Sequence, residues 1–204
     1  MATITTRPIT AEEFAAFVER PENAGRYFEL DEGEIIELPP PKPPHGFVSI
    51  TIGALLWNYC RQRGRGYVFS NDTGVVVGRD PDTVRGPDAM LYDDEKTFTD
   101  LESENAYLET PPVLAVEILS PSDRHGPLAR KVAQYLNGGV QLIWVVDPPA
   151  REVTVDRPGA DPDIVGPDIV GPDIVGPDGE LSGGDILAGL SIKVADLFRM
   201  PGEK

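Results

Sequence analysis

The stretch Val113-Leu-Ala-Val-Glu-Ile-Leu119, with Val140-Gln-Leu-Ile-Trp-Val-Val146 a short way downstream, decides the fold. Both are nearly continuous apolar runs of strand length, as expected for strands buried on both faces. Between them, Ser120-Pro-Ser-Asp123 forms a turn, and a helix is predicted from about 126 to 137, closed by Gly138-Gly139. Strand, helix and strand over 113–147 make a βαβ-like unit, and Glu152-Val-Thr-Val155 follows as a hairpin partner of the second strand.

The flanking sequence builds outward from that unit. Thr10-Ala-Glu-Glu13 is a capping box, and Phe14, Phe17 and Val18 give the helix from about 11 to 19 an apolar stripe. Tyr27-Phe-Glu-Leu30 and Glu34-Ile-Ile-Glu-Leu38 flank Asp31-Glu-Gly33 and read as a hairpin. The longest predicted helix runs from His45 to Arg63, with Phe47, Ile50, Ala54, Leu55, Trp57 and Tyr59 as its apolar positions and Gly64 as its cap. Tyr67-Val-Phe69, Gly74-Val-Val-Val-Gly78 and Pro87-Asp-Ala-Met-Leu-Tyr92 read as strands. The expected fold is α/β, or α+β, with a mixed sheet, flanking helices and an N-terminal hairpin.

The 204 residues suit one domain, here expected over 1–204. Gly and Pro, at 21 residues each, call for long loops. Within the domain, 158–180 reads as a loop expanded by Pro162-Asp-Ile-Val-Gly166, which recurs at 167–171 and 172–176. Proline at every fifth position removes backbone donors that a repeat solenoid would need, so no chemistry is assigned to the repeat. The single Cys60 excludes an internal disulfide and fits a reducing compartment. No apolar leader and no long apolar span is present, so the chain reads as cytoplasmic, with no membrane partner. A net charge of −16 opposes a protein that wraps nucleic acid, although arginines cluster at 61–65, 79–85 and 124–130.

Glu117 carries the chemistry. An ionised carboxylate in a strand with apolar residues on both sides is expensive unless a cation or hydrogen bonds compensate it. A structural pairing with an arginine would satisfy it, and so would a metal. Asp88, at the start of another strand, would complete an oxygen-rich site of the kind Mg²⁺ prefers. Such a site can activate water against a phosphodiester. Lys131, on the helix after the Glu117 strand, is the candidate to orient that water; its bland alternative is a solvated helix lysine.

Arg26-Tyr-Phe-Glu-Leu-Asp-Glu-Gly-Glu-Ile-Ile-Glu37, His45 and Val84-Arg-Gly-Pro-Asp88 carry a resemblance in their order and spacing. So do Pro111-Pro-Val-Leu-Ala-Val-Glu-Ile-Leu-Ser-Pro-Ser-Asp-Arg124, Lys131-Val-Ala-Gln-Tyr135 and Gly139-Val-Gln-Leu-Ile-Trp-Val-Val-Asp-Pro148. Over roughly 8–198 the chain resembles the Uma-two family of restriction endonuclease-like proteins, long catalogued as a bacterial domain of unknown function. The resemblance implies a PD-(D/E)XK nuclease fold and Mg²⁺-dependent (or Mn²⁺-dependent) cleavage of DNA as an endonuclease. It implies Asp88 and Glu117 as metal ligands, joined by the Ile118 carbonyl, with Lys131 as the catalytic lysine. In the parent motif that lysine stands two residues after the second acid; here Leu119 holds the place. Glu29, His45 and Tyr135 are further positions the resemblance brings to the site, and a homodimer is the analogy it offers. The competing expectation is a catalytically weak nuclease-fold module that binds a protein partner, which the acidic balance favours.

Overall fold

The structure is a computed structural model that describes residues 7–96, 99–100, 106–120, 125–159, 173–200 and 202–203. Helix α1 (Ala11–Val18) opens on the expected capping box: the Thr10 side chain accepts from the Glu13 amide, and the Glu13 carboxylate accepts from the Thr10 amide. Strands β1 (Tyr27–Asp31) and β2 (Glu34–Leu38) form the hairpin, and its turn residues Glu32 and Gly33 both have positive φ, the twist a two-residue hairpin needs. Helix α2 (Pro43–Arg63) follows, with Pro43 in its first turn and Gly64 capping it in the left-handed conformation.

Next come β3 (Tyr67–Ser70), β4 (Val75–Gly78), β5 (Thr83–Arg85), β6 (Ala89–Tyr92) and β7 (Leu114–Ile118). Helix α3 (His125–Asn137) leads into β8 (Leu142–Asp147) and β9 (Glu152–Asp156). The described chain closes with β10 (Asp173–Val175), β11 (Glu180–Ser182), β12 (Ser191–Lys193) and α4 (Val194–Phe198). Among these residues no helix is long and apolar enough to cross a membrane.

The strands divide into a six-stranded sheet in the order β10-β9-β8-β7-β6-β3, a four-stranded sheet β2-β1-β5-β4, and the pair β11-β12. Within the six-stranded sheet only β7 and β8 run parallel, as the helical crossover between them requires. Alternation along these two strands sorts the core. Leu114, Val116, Ile118, Leu142, Trp144 and Val146 pack toward α2, while Ala115, Ile143 and Val145 pack toward α3. A third cluster joins Phe14 of α1 to Leu30, Val76 and Val84 in the four-stranded sheet.

Three expectations change. The predicted mixed sheet is two separate main sheets, because Thr83–Arg85, too short and too hemmed by Pro81 and Gly86 to read as a strand, pairs with both β1 and β4. The apolar face expected on α2 is rotated: Val48, Ile52, Leu56, Tyr59 and Cys60 are buried, whereas Ile50, Ala54 and Trp57 are exposed. Positions 48, 52, 56 and 59 keep helical spacing as well as the expected set does, so periodicity alone did not choose between them. The third copy of the repeat supplies β10, antiparallel to β9, where the sequence suggested only loop. The first two copies lie outside the described residues. The β11-β12 pair and α4, which the sequence pattern left undrawn, complete the α2 side of the core through Leu181, Leu187, Leu190, Val194 and Leu197.

Helix α3 is held between the two main sheets, and Gly138 shows how closely. A Cβ built there would sit 2.5 Å from the Val77 carbonyl oxygen of β4. Gly138→Ala must push α3 away from the four-stranded sheet. The expected loss is about 1–3 kcal/mol, as for other overpacked sites, read as a lower urea midpoint with an unchanged denaturant slope.

Candidate active site

Asp88 and Glu117 meet because of strand register. The β6–β7 ladder pairs Leu91 with Leu114, Met90 with Ala115 and Ala89 with Val116, so one further step sets Asp88 opposite Glu117. Pro87 has no amide hydrogen to carry the ladder on. The Ile118 amide turns instead to the Asp88 side chain and donates to Oδ2 at 2.7 Å. In an extended strand the N–H and C=O of one residue share an edge, so the Ile118 carbonyl faces the same gap. His45, in the first turns of α2, brings Nε2 to 3.1 Å from the same Oδ2.

Helix α3 supplies the groups above Glu117. Lys131 and Tyr135 are four residues apart and share one face of the helix. Lys131 Nζ lies 2.9 Å from Glu117 Oε2 and 2.9 Å from Glu29 Oε1. The Tyr135 hydroxyl donates to Glu117 Oε1 at 2.5 Å. The structure thus gathers Asp88, Glu117, Lys131, Glu29, His45 and Tyr135, all named from the sequence, around one point.

Three members of the cluster escaped the sequence reading. Arg85, only 5% exposed, donates to Glu29 Oε2 at 2.8 Å and pairs with Asp31 at 3.0 Å. Gln134 accepts from Arg85 and donates to Asp31 at 2.7 Å, tying α3 to the hairpin. In the sequence Arg85 is one of several loop arginines; the β-branched pair Thr83-Val84 before it was the available signal of a strand. Glu29 has both oxygens engaged, since the Gly86 amide also donates to Oε1 at 3.1 Å. Its contact with Lys131 makes it a support for the ammonium.

The charges do not balance. Burial pushes the Glu117 carboxyl up, Lys131 opposes this, and the like charges of Asp88 and Glu29 push it further, to about 7. Burial acts on Glu29 in the same direction, but Lys131 and Arg85 together outweigh it and hold that carboxyl low. Lys131 overcomes its own burial through its two carboxylates and stays an ammonium well above its ordinary range. Burial and the neighbouring carboxylates likewise keep Tyr135 a neutral phenol. Two acids therefore share one ammonium, and Glu117, which has no arginine of its own, is left short of positive charge.

That shortage bears on the Mg²⁺ (or Mn²⁺) that the fold family implies. Two carboxylates facing each other across strands repel, and a divalent cation between them removes the repulsion. The donors fit a hard cation that keeps several of its waters: Asp88, Glu117 and the Ile118 carbonyl are all oxygen. Among the described residues there is no group of three or more His, Cys, Asp or Glu arranged to hold a metal, so a cation here would rest on two carboxylates, a backbone carbonyl and water.

Two cavities flank the cluster. One of about 200 Å³ is bounded by Tyr27, Leu38, Pro40, Lys42 and His45 beside Asp88 and Glu117. The other, about 500 Å³, opens beyond Lys131 toward Ile36, Leu128 and Arg130.

Without divalent cation, the raised Glu117 carboxyl makes stability depend on pH. In the unfolded chain it loses its proton near the ordinary value of 4.5, but in the folded protein only near 7. Between these values the folded state binds more protons, so a rise in pH favours unfolding. Urea unfolding in chelator is expected to show stability declining across that window, and Glu117→Gln, which cannot ionise, is expected to flatten the decline. An equal decline in the variant would rule out Glu117 as its source.

Comparisons with known proteins give the chain's family and fold. Residues 11–195 match the Uma2 family, described as "Putative restriction endonuclease". A solved structure from Anabaena variabilis, described as a putative nuclease belonging to DUF820, superposes with a TM-score of 0.72 at 22% identity, covering 94% of this chain and 98% of its own. At that identity the likeness speaks to the fold alone. No curated protein matches the chain. With a match across nearly its whole length, the chain belongs to the Uma2 family of restriction endonuclease-like proteins.

Proposed function

We propose that the chain is a metal-dependent endonuclease that hydrolyses DNA phosphodiesters at the Asp88–Glu117 cluster. The observation that carries the reading is the Glu117 carboxylate, buried opposite Asp88 and under Lys131, in a family of nuclease type. Asp88, Glu117 and the Ile118 carbonyl would hold Mg²⁺ or Mn²⁺. Bound there, the cation would neutralise charge on the phosphodiester and make a nearby water more acidic.

The chain's own residues do the rest. Lys131, kept protonated, cannot take a proton from the attacking water; it donates hydrogen bonds and fixes the water and a phosphate oxygen relative to each other. Glu29 and Arg85 hold Lys131 in place from the hairpin side, and Tyr135 fixes the rotamer of Glu117. The water oxygen bonds to phosphorus, one P–O ester bond breaks, and the products are an alcohol and a phosphomonoester. One proton of the water leaves to solvent through the open cavity, and the departing oxygen takes a proton from solvent to become the alcohol. The buried Cys60 and the lack of any internal disulfide suit a reducing compartment, and we place the activity in the cytoplasm.

Purified protein with Mg²⁺ or Mn²⁺ is expected to nick supercoiled plasmid, and Asp88→Ala is expected to abolish nicking. Lys131→Met is expected to slow it by roughly 10²–10³-fold, the range for loss of one electrostatic group at a transition state. Calorimetry with Mn²⁺ should show heat that Glu117→Ala removes. Equal nicking by the wild type and Asp88→Ala defeats the nuclease reading. Absence of both nicking and metal heat favours a module that binds a protein partner.

A further inference from the structure

We infer that the cavity beside Asp88 takes an unpaired nucleotide, with a base stacked on Tyr27, so that the substrate is a single strand or a locally melted segment. This inference rests on the nuclease reading and names its substrate class.

The first ground is charge. A protein that tracks a duplex neutralises several phosphates with lysine and arginine, and its affinity derives largely from the counterions released. Among the described residues, the cations at this site are already ion-paired, and of these only Lys131 is placed at the scissile phosphate. Arg85 is paired with Glu29 and Asp31, Arg130 with Asp31 and Glu32, and Lys131 with Glu29 and Glu117. On the wall of the smaller cavity, Lys42 is the one lysine or arginine without an ion pair among the described residues. Across the whole chain, 34 acids oppose 18 lysines and arginines. Among the described residues, the Lys42 ammonium and Lys131 can hold about one or two phosphates; they cannot hold a double helix against that field.

The second ground is what the cavity offers in place of cations. Tyr27 opens β1 two residues before Glu29, and strand alternation puts both on one face. Tyr27 is 38% exposed and lines the same cavity as Asp88 and Glu117. Leu38 stands opposite Tyr27 in the hairpin register, and Pro39 to Pro41 continue the wall. Proline has no amide hydrogen, so this wall offers apolar surface and few donors. A partly exposed ring beside an apolar wall, next to a site for phosphate chemistry, has the make-up of a base-stacking platform. Asn71, on the same cavity, adds an amide able both to donate to and to accept from a base edge.

The third ground is size. About 200 Å³ lies below the ~300–1,000 Å³ typical of sites that enclose drug-sized ligands. It accommodates one flat ring system, and a base inside a duplex presents no free face to stack.

The test compares one labelled oligonucleotide sequence as single-stranded DNA, linear duplex DNA and single-stranded RNA. Binding is read by fluorescence anisotropy in Ca²⁺ and cleavage in Mn²⁺, using the full chain. Single-stranded DNA is expected to bind at least roughly tenfold tighter than duplex, with a shallow salt dependence matching about one or two phosphate contacts. Tyr27→Ala is expected to weaken single-strand binding by roughly 5–150-fold, the range for loss of one stacked base, while Tyr27→Phe retains it. The RNA arm shows whether the sugar matters; equal binding of RNA and DNA strands supports a site that reads only base and phosphate. Duplex bound as tightly, or cut as fast, as the single strand overturns the inference, as does no binding of either. Unaltered binding by a folded Tyr27→Ala, checked by circular dichroism, also overturns it, and the wild-type strand preference decides the matter if that variant does not fold. Selective, Tyr27-dependent binding with no cleavage in Mn²⁺ would instead overturn the nuclease reading and leave the binding site standing.

Discussion

The ammonium of Lys131, shared between Glu29 and Glu117 at 2.9 Å each, is the contact on which the site's arrangement depends. Glu29 belongs to the four-stranded sheet, Glu117 to the six-stranded sheet, and Lys131 to the helix between them. One cation therefore ties three elements together. Removing the lysine would leave Glu117 buried without a cation, a costly fault in a polar cluster. The close seat of Gly138 against β4 fixes the same helix sterically and sets where Lys131 and Tyr135 can reach.

The sharing is unequal, and the inequality leaves Glu117 short of positive charge while Glu29 is fully compensated. Glu29 is also served by Arg85, which Asp31 and Gln134 hold in turn. Glu117 has no second cation, and Asp88 faces it across the strand pair. The hairpin side of the cluster is thus a satisfied network that holds a geometry, while the strand side is short of positive charge in a place open to a cavity. A protein built only for stability would have relieved that repulsion with an apolar residue or another arginine. A site kept in this state fits the general pattern in which perturbed carboxyls gather where chemistry is done.

Much of this could be read from the chain. The buried strands at 114–118 and 142–147, the helix between them and the N-terminal hairpin all carry strong local signals, in continuous apolar runs, a glycine turn and a double-glycine stop. Glu117 stood out as an acid among apolar neighbours, and Lys131 and Tyr135 are linked by helical spacing alone. Arg85 was hidden, because a three-residue strand has too little length to show a period and an isolated arginine usually means surface. The buried side of α2 was misjudged because two sets of apolar positions on that helix fit the same period. The strand made by the third repeat copy was also hidden: pairing with β9 is a property of the neighbour, not of Asp-Ile-Val.

The sequence by itself determined the kind of elements and the kind of chemistry, since alternation, capping and the burial of a lone acid depend on residues close in the chain. It also determined that the lysine could not stand on the Glu117 strand, because Leu119 occupies that place. Tertiary structure alone decided which acid Asp88 would face, that Glu29 and Glu117 would share one ammonium, and that Arg85 would favour Glu29. Those outcomes follow from strand register and from the seat of one helix between two sheets. Charge interactions in a desolvated interior change over a few ångströms, so they are settled only when the distances are.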